Sequence, residues 1–167
     1  MKFLVIIQAR IQSERLPGKV LKFIGKDTVI SFMLKRIKRC KLIDDIIVAI
    51  PNDKKNKILE KHLKKNKIKI FKGSNKNLLD RYYKAAKKTK HEAIIRLTAD
   101  CPFADPKIID QMIQLFKDKN LDYISNLNPS TFPDGMDVEI LRFALLKKIK
   151  KKSTSQHDME HVTPYIK

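Results

Sequence analysis

Residues 8–21, QARIQSERLPGKVL, bring Arg10, Arg15 and Lys19 onto one short stretch that Pro17 and Gly18 must turn. Two guanidiniums can form forked hydrogen bonds to phosphate oxygens, and an ammonium can follow charge at a reacting phosphorus. Several cations on one turn suit a polyphosphate, so the stretch reads as a nucleoside triphosphate site. It is neither of the two common glycine loops. Ser13 and Val20 stand where the phosphate loop of ATPases needs a glycine and a Ser or Thr, and the three-glycine dinucleotide fingerprint is missing. The competing reading is a surface loop with stray basic residues. Lysine is so abundant that Lys19 alone does not decide between them, but arginine is scarce, which makes the Arg10 and Arg15 pair the less accidental part.

A carboxylate stands in a corresponding place further on. In TADCPFADP, residues 98–106, Asp100 lies just beyond the apolar run 93–97, at the edge where open α/β sheets bind ligands. It is a hard oxygen ligand suited to Mg²⁺, and its bland alternative is a turn or cap aspartate. His157, Glu160 and His161 fit H-x-x-E-H, a zinc-protease pattern, but only six residues follow His161, too few for the expected third ligand.

These groups need a scaffold that delivers them to one edge. Short apolar runs at 2–7, 46–50, 68–71, 93–97, 122–126 and 136–141 read as strands. Between them, helical spacing covers 28–40 (with Asp27 or Thr28 as N-cap), 54–65, 78–89, a helix opened by Asp105 and Pro106, and 142–152. Residues 127–134 read as irregular, 153–156 as a break and 157–166 as a final helical or irregular piece. His62 falls in or beside the thin apolar stripe of the second helix. The alternation implies an α/β fold with a mostly parallel sheet.

The 167 residues suit one domain with a single core. The net charge of +19 could attract polyanions, but the excess is mainly lysine accompanied by Ile and Asn, the signature of an AT-rich coding sequence and solvated helix faces. No nucleic acid partner is expected. Cys40 and Cys101 form no CxxC pattern, which argues against a disulfide framework or structural zinc and for a reducing cytoplasm. The apolar run 3–7 is too short for a signal peptide or a membrane span, so no membrane association is expected.

Five ordered blocks closely resemble the cytidylyltransferase family: the opening loop, FKGSNKNLLDRY at 71–82, RLTADCP at 96–102, TFPDGMDVE at 131–139 and EHVTPYI at 160–166. The nearest branch is the spore-coat-polysaccharide-biosynthesis F proteins, relatives of the CMP-KDO and CMP-sialic acid synthetases. The resemblance covers the whole chain. It implies a Rossmann-like, nucleotide-diphospho-sugar transferase-like sheet with helices on both faces. The implied reaction transfers CMP from CTP to a sugar or sugar acid, with Mg²⁺ and release of pyrophosphate.

By that resemblance Arg10, Ser13, Arg15 and Lys19 hold the triphosphate, Gln8 and Ala9 help read the base, and Gly73, Ser74, Asp80 and Arg81 form a second nucleotide-side block. Arg15, Lys19 and Asp100 are the catalytic set, with Asp100 the metal ligand. Asp134, Asp137 and Glu139, with Glu160 and His161, fall to the acceptor side. If 136–141 is a strand, Asp137 and Glu139 project from one face and could contact sugar hydroxyls or help a metal; solvent-facing strand residues are the alternative. Family members continue for several tens of residues beyond TPYI, including a late metal-site aspartate. The resemblance therefore implies a shortened C-terminus and leaves three alternatives: a non-catalytic nucleotide-binding remnant, a different base specificity, or, distantly, a basic nucleic-acid-binding module. It also leaves a homodimer open.

Overall fold

The computed structural model describes residues 1–13, 15–127, 129–130 and 132–166. Asn128 and Thr131, in the segment expected to be irregular, lie outside the described residues. In chain order the elements are β1 (Phe3–Gln8), β2 (Phe23–Ile24), β3 (Asp27–Thr28), α1 (Val29–Ile37), β4 (Asp45–Pro51), α2 (Lys57–Lys65), β5 (Lys69–Gly73), α3 (Leu78–Lys87), β6 (Ala93–Thr98), α4 (Pro106–Asp118), β7 (Tyr123–Ser125), β8 (Glu139–Arg142), α5 (Phe143–Lys152) and α6 (Gln156–His161).

The main sheet runs β5-β4-β1-β6-β8-β7. The first four strands are parallel, and β8 is antiparallel to both β6 and β7. A strand buried on both faces must be apolar throughout, and β1 is: Phe3, Val5 and Ile7 pack with α1, α2 and α4, whereas Leu4 and Ile6 pack with α3 and α5. Helices thus cover both faces, as expected.

From β1 the chain steps outward through β4 to β5, and α3 then carries it back to β6 on the other side of β1. The strand order reverses between β1 and β6, so a crevice opens beyond their carboxyl ends. Gln8 ends one of these strands and Thr98 the other, with Asp100 just beyond.

Local chemistry sets most boundaries where the sequence places them. Thr28 Oγ1 accepts from the Ser31 amide to start α1, and Asp105 Oδ1 accepts from the Lys107 amide beside Pro106 to start α4. The α1 helix stops at Ile37 rather than Cys40, whose amide bonds to the Ile37 carbonyl in a closing turn. A 3-10 turn over Lys54–Asn56 precedes α2, and a small hairpin of β2 and β3 follows the opening loop; neither was expected.

The expectation of a strand over 136–141 needs correction, because β8 begins at Glu139. The Asn126 side chain accepts from the Val138 amide (2.8 Å) and donates to the Met136 carbonyl (2.9 Å), occupying backbone groups that a neighbouring strand would pair. Asp137 therefore lies before the strand, and strand geometry does not set it on one face with Glu139.

Among the described residues no helix is long and apolar enough to cross a membrane. Lys67, exposed just after the C-cap of α2, has φ 55°. Lys67→Gly should raise stability by about 0.5–1 kcal/mol, since relief of left-handed strain exceeds the added entropy of the unfolded chain. Urea unfolding would measure the gain.

Candidate active site

At the end of β1 the Ala9 amide donates to the Ala49 carbonyl (3.1 Å), and the Ala99 amide donates to the Gln8 carbonyl (3.0 Å). Both neighbouring strands therefore fix where the loop departs. The Gly18 amide returns to the Ile11 carbonyl (2.9 Å), closing the loop. Gly18 has φ 70°, which a β-carbon would strain, and it opens a 3-10 turn at Lys19–Leu21. Lys19 Nζ then pairs with Asp100 Oδ2 across the crevice. Arg10 and Arg15 are exposed and form no ion pair among the described residues; Ser13 is half-buried.

Asp100 is 42% exposed at its side chain. Partial burial would raise its carboxyl, but the hydrogen bond and charge of Lys19 outweigh this and hold it below the ordinary carboxylate range. Asp137 moves the other way: burial raises it first, the charges of Asp134, Glu139 and Asp100 add to this, and Arg96 opposes. Asp100, Asp134 and Asp137 thus share one electrostatic neighbourhood. Cys101 joins it, its thiol pushed up by burial and by the same three carboxylates, while its Sγ lies 3.0 Å from Thr98 Oγ1.

The second block places Gly73 against Arg81. A β-carbon at Gly73 would come within 2.8 Å of the Phe71 ring and 3.1 Å of Arg81 Cγ, so glycine lets Arg81 lie close. Arg81 is 5% exposed, and among the described residues its buried Nε and Nη1 find no hydrogen-bond partner. Burial disfavours this cation; Arg10 adds repulsion, and the charges of Tyr82 and Asp53 partly compensate. Ser74 Oγ accepts from the Asn77 amide (3.0 Å), shaping the turn before α3. Tyr82 is buried beneath Gln8, its hydroxyl within 3.2–3.3 Å of the Ile6 and Leu97 carbonyls and Gln8 Oε1.

Among the described residues the Asp80 carboxylate makes no ion pair with Arg10, Arg15, Lys19 or Arg81. It is committed to Lys84 (2.9 Å) and to Lys150 of α5 (3.6 Å). Glu139 is likewise engaged inside the protein. At 1% exposure it pairs with Arg96 and accepts from the Tyr123 hydroxyl (2.7 Å) and Thr163 Oγ1 (2.8 Å). With His157, His161, Leu127, Thr163 and Pro164, these two charges line a recess of about 420 Å³. Glu160 does not line it; exposed on α6, it accepts from Gln156 Nε2 (3.0 Å). The His157 and His161 rings lie 4.6 Å apart, and among the described residues no group of three or more His, Cys, Asp or Glu is placed to chelate a metal.

Sequence reasoning missed Arg96, the partner of Glu139, and the trio in which Asp53 and Asn56, just after β4, bond to Gln12 within the opening loop. The trio left one readable trace. Asp53 precedes Asn56 by three positions, a spacing that suits a side-chain cap on the following turn.

The sequence pattern of the family described as Cytidylyltransferase matches residues 4–167. The spore coat polysaccharide biosynthesis protein SpsF of Bacillus subtilis is 37% identical over 169 residues, covering 98% of this chain and 69% of its own. A 3-deoxy-manno-octulosonate cytidylyltransferase of Fusobacterium nucleatum is 34% identical over 120 residues, 71% of this chain and 47% of its own. The solved structure of a cytidylyltransferase from Leptospira borgpetersenii superimposes with a TM-score of 0.95 at 38% identity, covering 99% of this chain and 71% of that one. The chain thus spans about two thirds of SpsF and about half of the Fusobacterium protein. With a matching pattern over nearly its full length and a crevice at the strand-order reversal, the chain belongs to the cytidylyltransferase family.

Proposed function

We propose that the chain transfers CMP from CTP to a hydroxyl of a sugar or sugar acid, releasing pyrophosphate. The observation that carries this reading is the Lys19–Asp100 pair, which joins the cationic loop after β1 to the carboxylate after β6 across the crevice. Arg10, Arg15 and Lys19 would hold the triphosphate. Gln8 and Ala9 line the end of β1 where the base would be read, and the unpartnered Nε and Nη1 of Arg81 offer donors to a nucleotide oxygen.

The donor set fits Mg²⁺. Asp100 is held below the ordinary carboxylate range by Lys19, the cation it already pairs with, and Asp134 and Asp137 carry further carboxylates in its electrostatic neighbourhood. Mg²⁺ commonly takes one or two carboxylates and completes its shell with phosphate oxygens and water, and it would neutralise triphosphate charge here. The acceptor oxygen forms a bond to the α-phosphorus as the bond to pyrophosphate breaks. Pyrophosphate leaves with the electron pair, and the hydroxyl proton passes to solvent. Lys19 follows the charge that accumulates on the departing group. Asp134, Asp137 and the recess edged by His161 would face the acceptor. The name of SpsF supports a sugar destined for a polysaccharide, and that of the Fusobacterium relative supports a sugar acid.

Pyrophosphate release measured with each nucleoside triphosphate, Mg²⁺ and a panel of acidic sugars tests the reading. Release with CTP alone is expected. A protein that does not bind CTP overturns it, preference for another base replaces the nucleotide, and CTP-dependent thermal stabilisation without product for any acceptor favours a non-catalytic binder.

A further inference from the structure

The opening loop is not held by its own sequence alone. Ile11 is its clamp point: its carbonyl receives the Gly18 amide, and its own amide donates to Asn56 Oδ1 (2.9 Å). Asn56 lies in the turn after β4, forty-five positions away, and is 1% exposed. Its Nδ2 donates to Gln12 Oε1 and to Asp53 Oδ1, both at 2.9 Å, and its backbone amide also donates to Asp53 Oδ1 (3.0 Å). Gln12 Nε2 closes the ring on Asp53 Oδ2 (3.3 Å).

Every donor in this ring faces an acceptor, and only one amide orientation of Asn56 and of Gln12 allows that. A buried side chain that is fully satisfied in a single orientation transmits position. If the Asn56 amide were reversed, its NH₂ would face the Ile11 amide and its oxygen would face a carboxylate.

We propose that Asn56 is the positioning residue of the phosphate loop, fixing Ile11 so that the loop closed by Gly18 presents its cations to the crevice. Asn56 acts through Ile11 and Gln12 and touches no phosphate itself. The inference rests on the nucleotide reading for its effect on CTP, but its structural content is independent of any ligand.

Amide exchange read by NMR in ligand-free protein, and CTP affinity read by calorimetry, test it in the wild type, Asn56→Ala and Asn56→Asp. In the wild type the Ile11 amide should exchange about tenfold or more slowly than that of the neighbouring Arg10. Asn56→Ala should remove protection at Ile11 and Gly18, leave the β6 amides protected, and weaken CTP binding about tenfold. Asn56→Asp keeps an acceptor for Ile11 but sets a second carboxylate against Asp53 and Gln12 Oε1, so it should lose protection at Ile11 as well, because the whole ring and not the acceptor alone holds the loop. A folded Asn56→Ala protein with unchanged exchange at Ile11 and Gly18 overturns the proposal, as does one with unchanged affinity where the wild type binds CTP. Should Asn56→Ala not fold, a wild-type Ile11 amide that exchanges as fast as Arg10 overturns it. A wild type that binds no CTP refutes the nucleotide reading instead and leaves exchange to decide the anchor.

Discussion

Asp100→Asn should lower CMP transfer by about 10²–10³-fold while leaving CTP binding in the absence of metal unchanged or tighter. The two effects separate because Asp100 would stand in two relations to a bound triphosphate. As an anion beside the cationic loop it repels phosphate and holds Lys19 away from it. As a hard oxygen ligand it would gather the divalent cation on which charge dispersal depends. Asparagine preserves the shape and an acceptor oxygen but removes the charge, so Lys19 is released toward the ligand. Lys19→Ala should instead weaken binding and transfer together. Calorimetry without metal, followed by pyrophosphate release with Mg²⁺, distinguishes the two variants. Transfer by Asp100→Asn within about threefold of the wild type would remove Asp100 from the mechanism.

Elements whose ends carry their own chemistry were legible in the sequence. Asp105 and Pro106 announce α4, Thr28 announces α1, and the apolar run before Gln8 announces a strand buried on both faces. Asp100 was legible for the same reason, since its place depends only on where β6 ends. Illegible features depend on partners far away in the chain. Nothing near Asn56 shows that it reaches Ile11, and nothing near Met136 shows that the Asn126 side chain takes the place of a neighbouring strand. Asp80 combines both kinds of partner: its carboxylate pairs with Lys84 one helical turn on, which spacing reveals, and with Lys150, which no local pattern links to it.

The same distinction separates the two halves of the crevice. Its loop side is built from one continuous stretch in which Arg10 and Arg15 are exposed and Lys19 is close by in sequence, so composition reveals it. Its other side is assembled from β6, β8 and the residues after α6, and the charges of Arg96 and Glu139 there are spent on one another. Arg96 and Glu139 face each other in the antiparallel register, and Thr163 closes over Glu139 from the end of the chain. Glu139, at the wall of the recess, is thus a buried counter-ion to Arg96.

That role makes Glu139→Gln the substitution with the largest expected effect on stability, a loss of about 3–5 kcal/mol at neutral pH. Glutamine can still accept from Tyr123 and Thr163, but it cannot compensate Arg96, whose side chain is only 14% exposed and whose Nε already lacks a partner. Burial would raise the Glu139 carboxyl, yet the charge of Arg96, with the hydrogen bonds from Tyr123 and Thr163, holds it below the ordinary glutamate value. Because its folded pKa lies below the unfolded one, the stabilisation is fully present above the unfolded value near pH 4 and is lost as pH falls through the folded value. Urea unfolding from pH 7 to pH 3 should show the wild type losing this contribution in acid, while Glu139→Gln starts lower and has a flatter acid limb. The double variant Arg96→Met with Glu139→Leu should recover much of the loss, since removing both charges avoids leaving one buried alone. If Glu139→Gln unfolds at the wild-type urea midpoint at pH 7, the pair contributes no net stability and Arg96 must find solvent or another counter-charge.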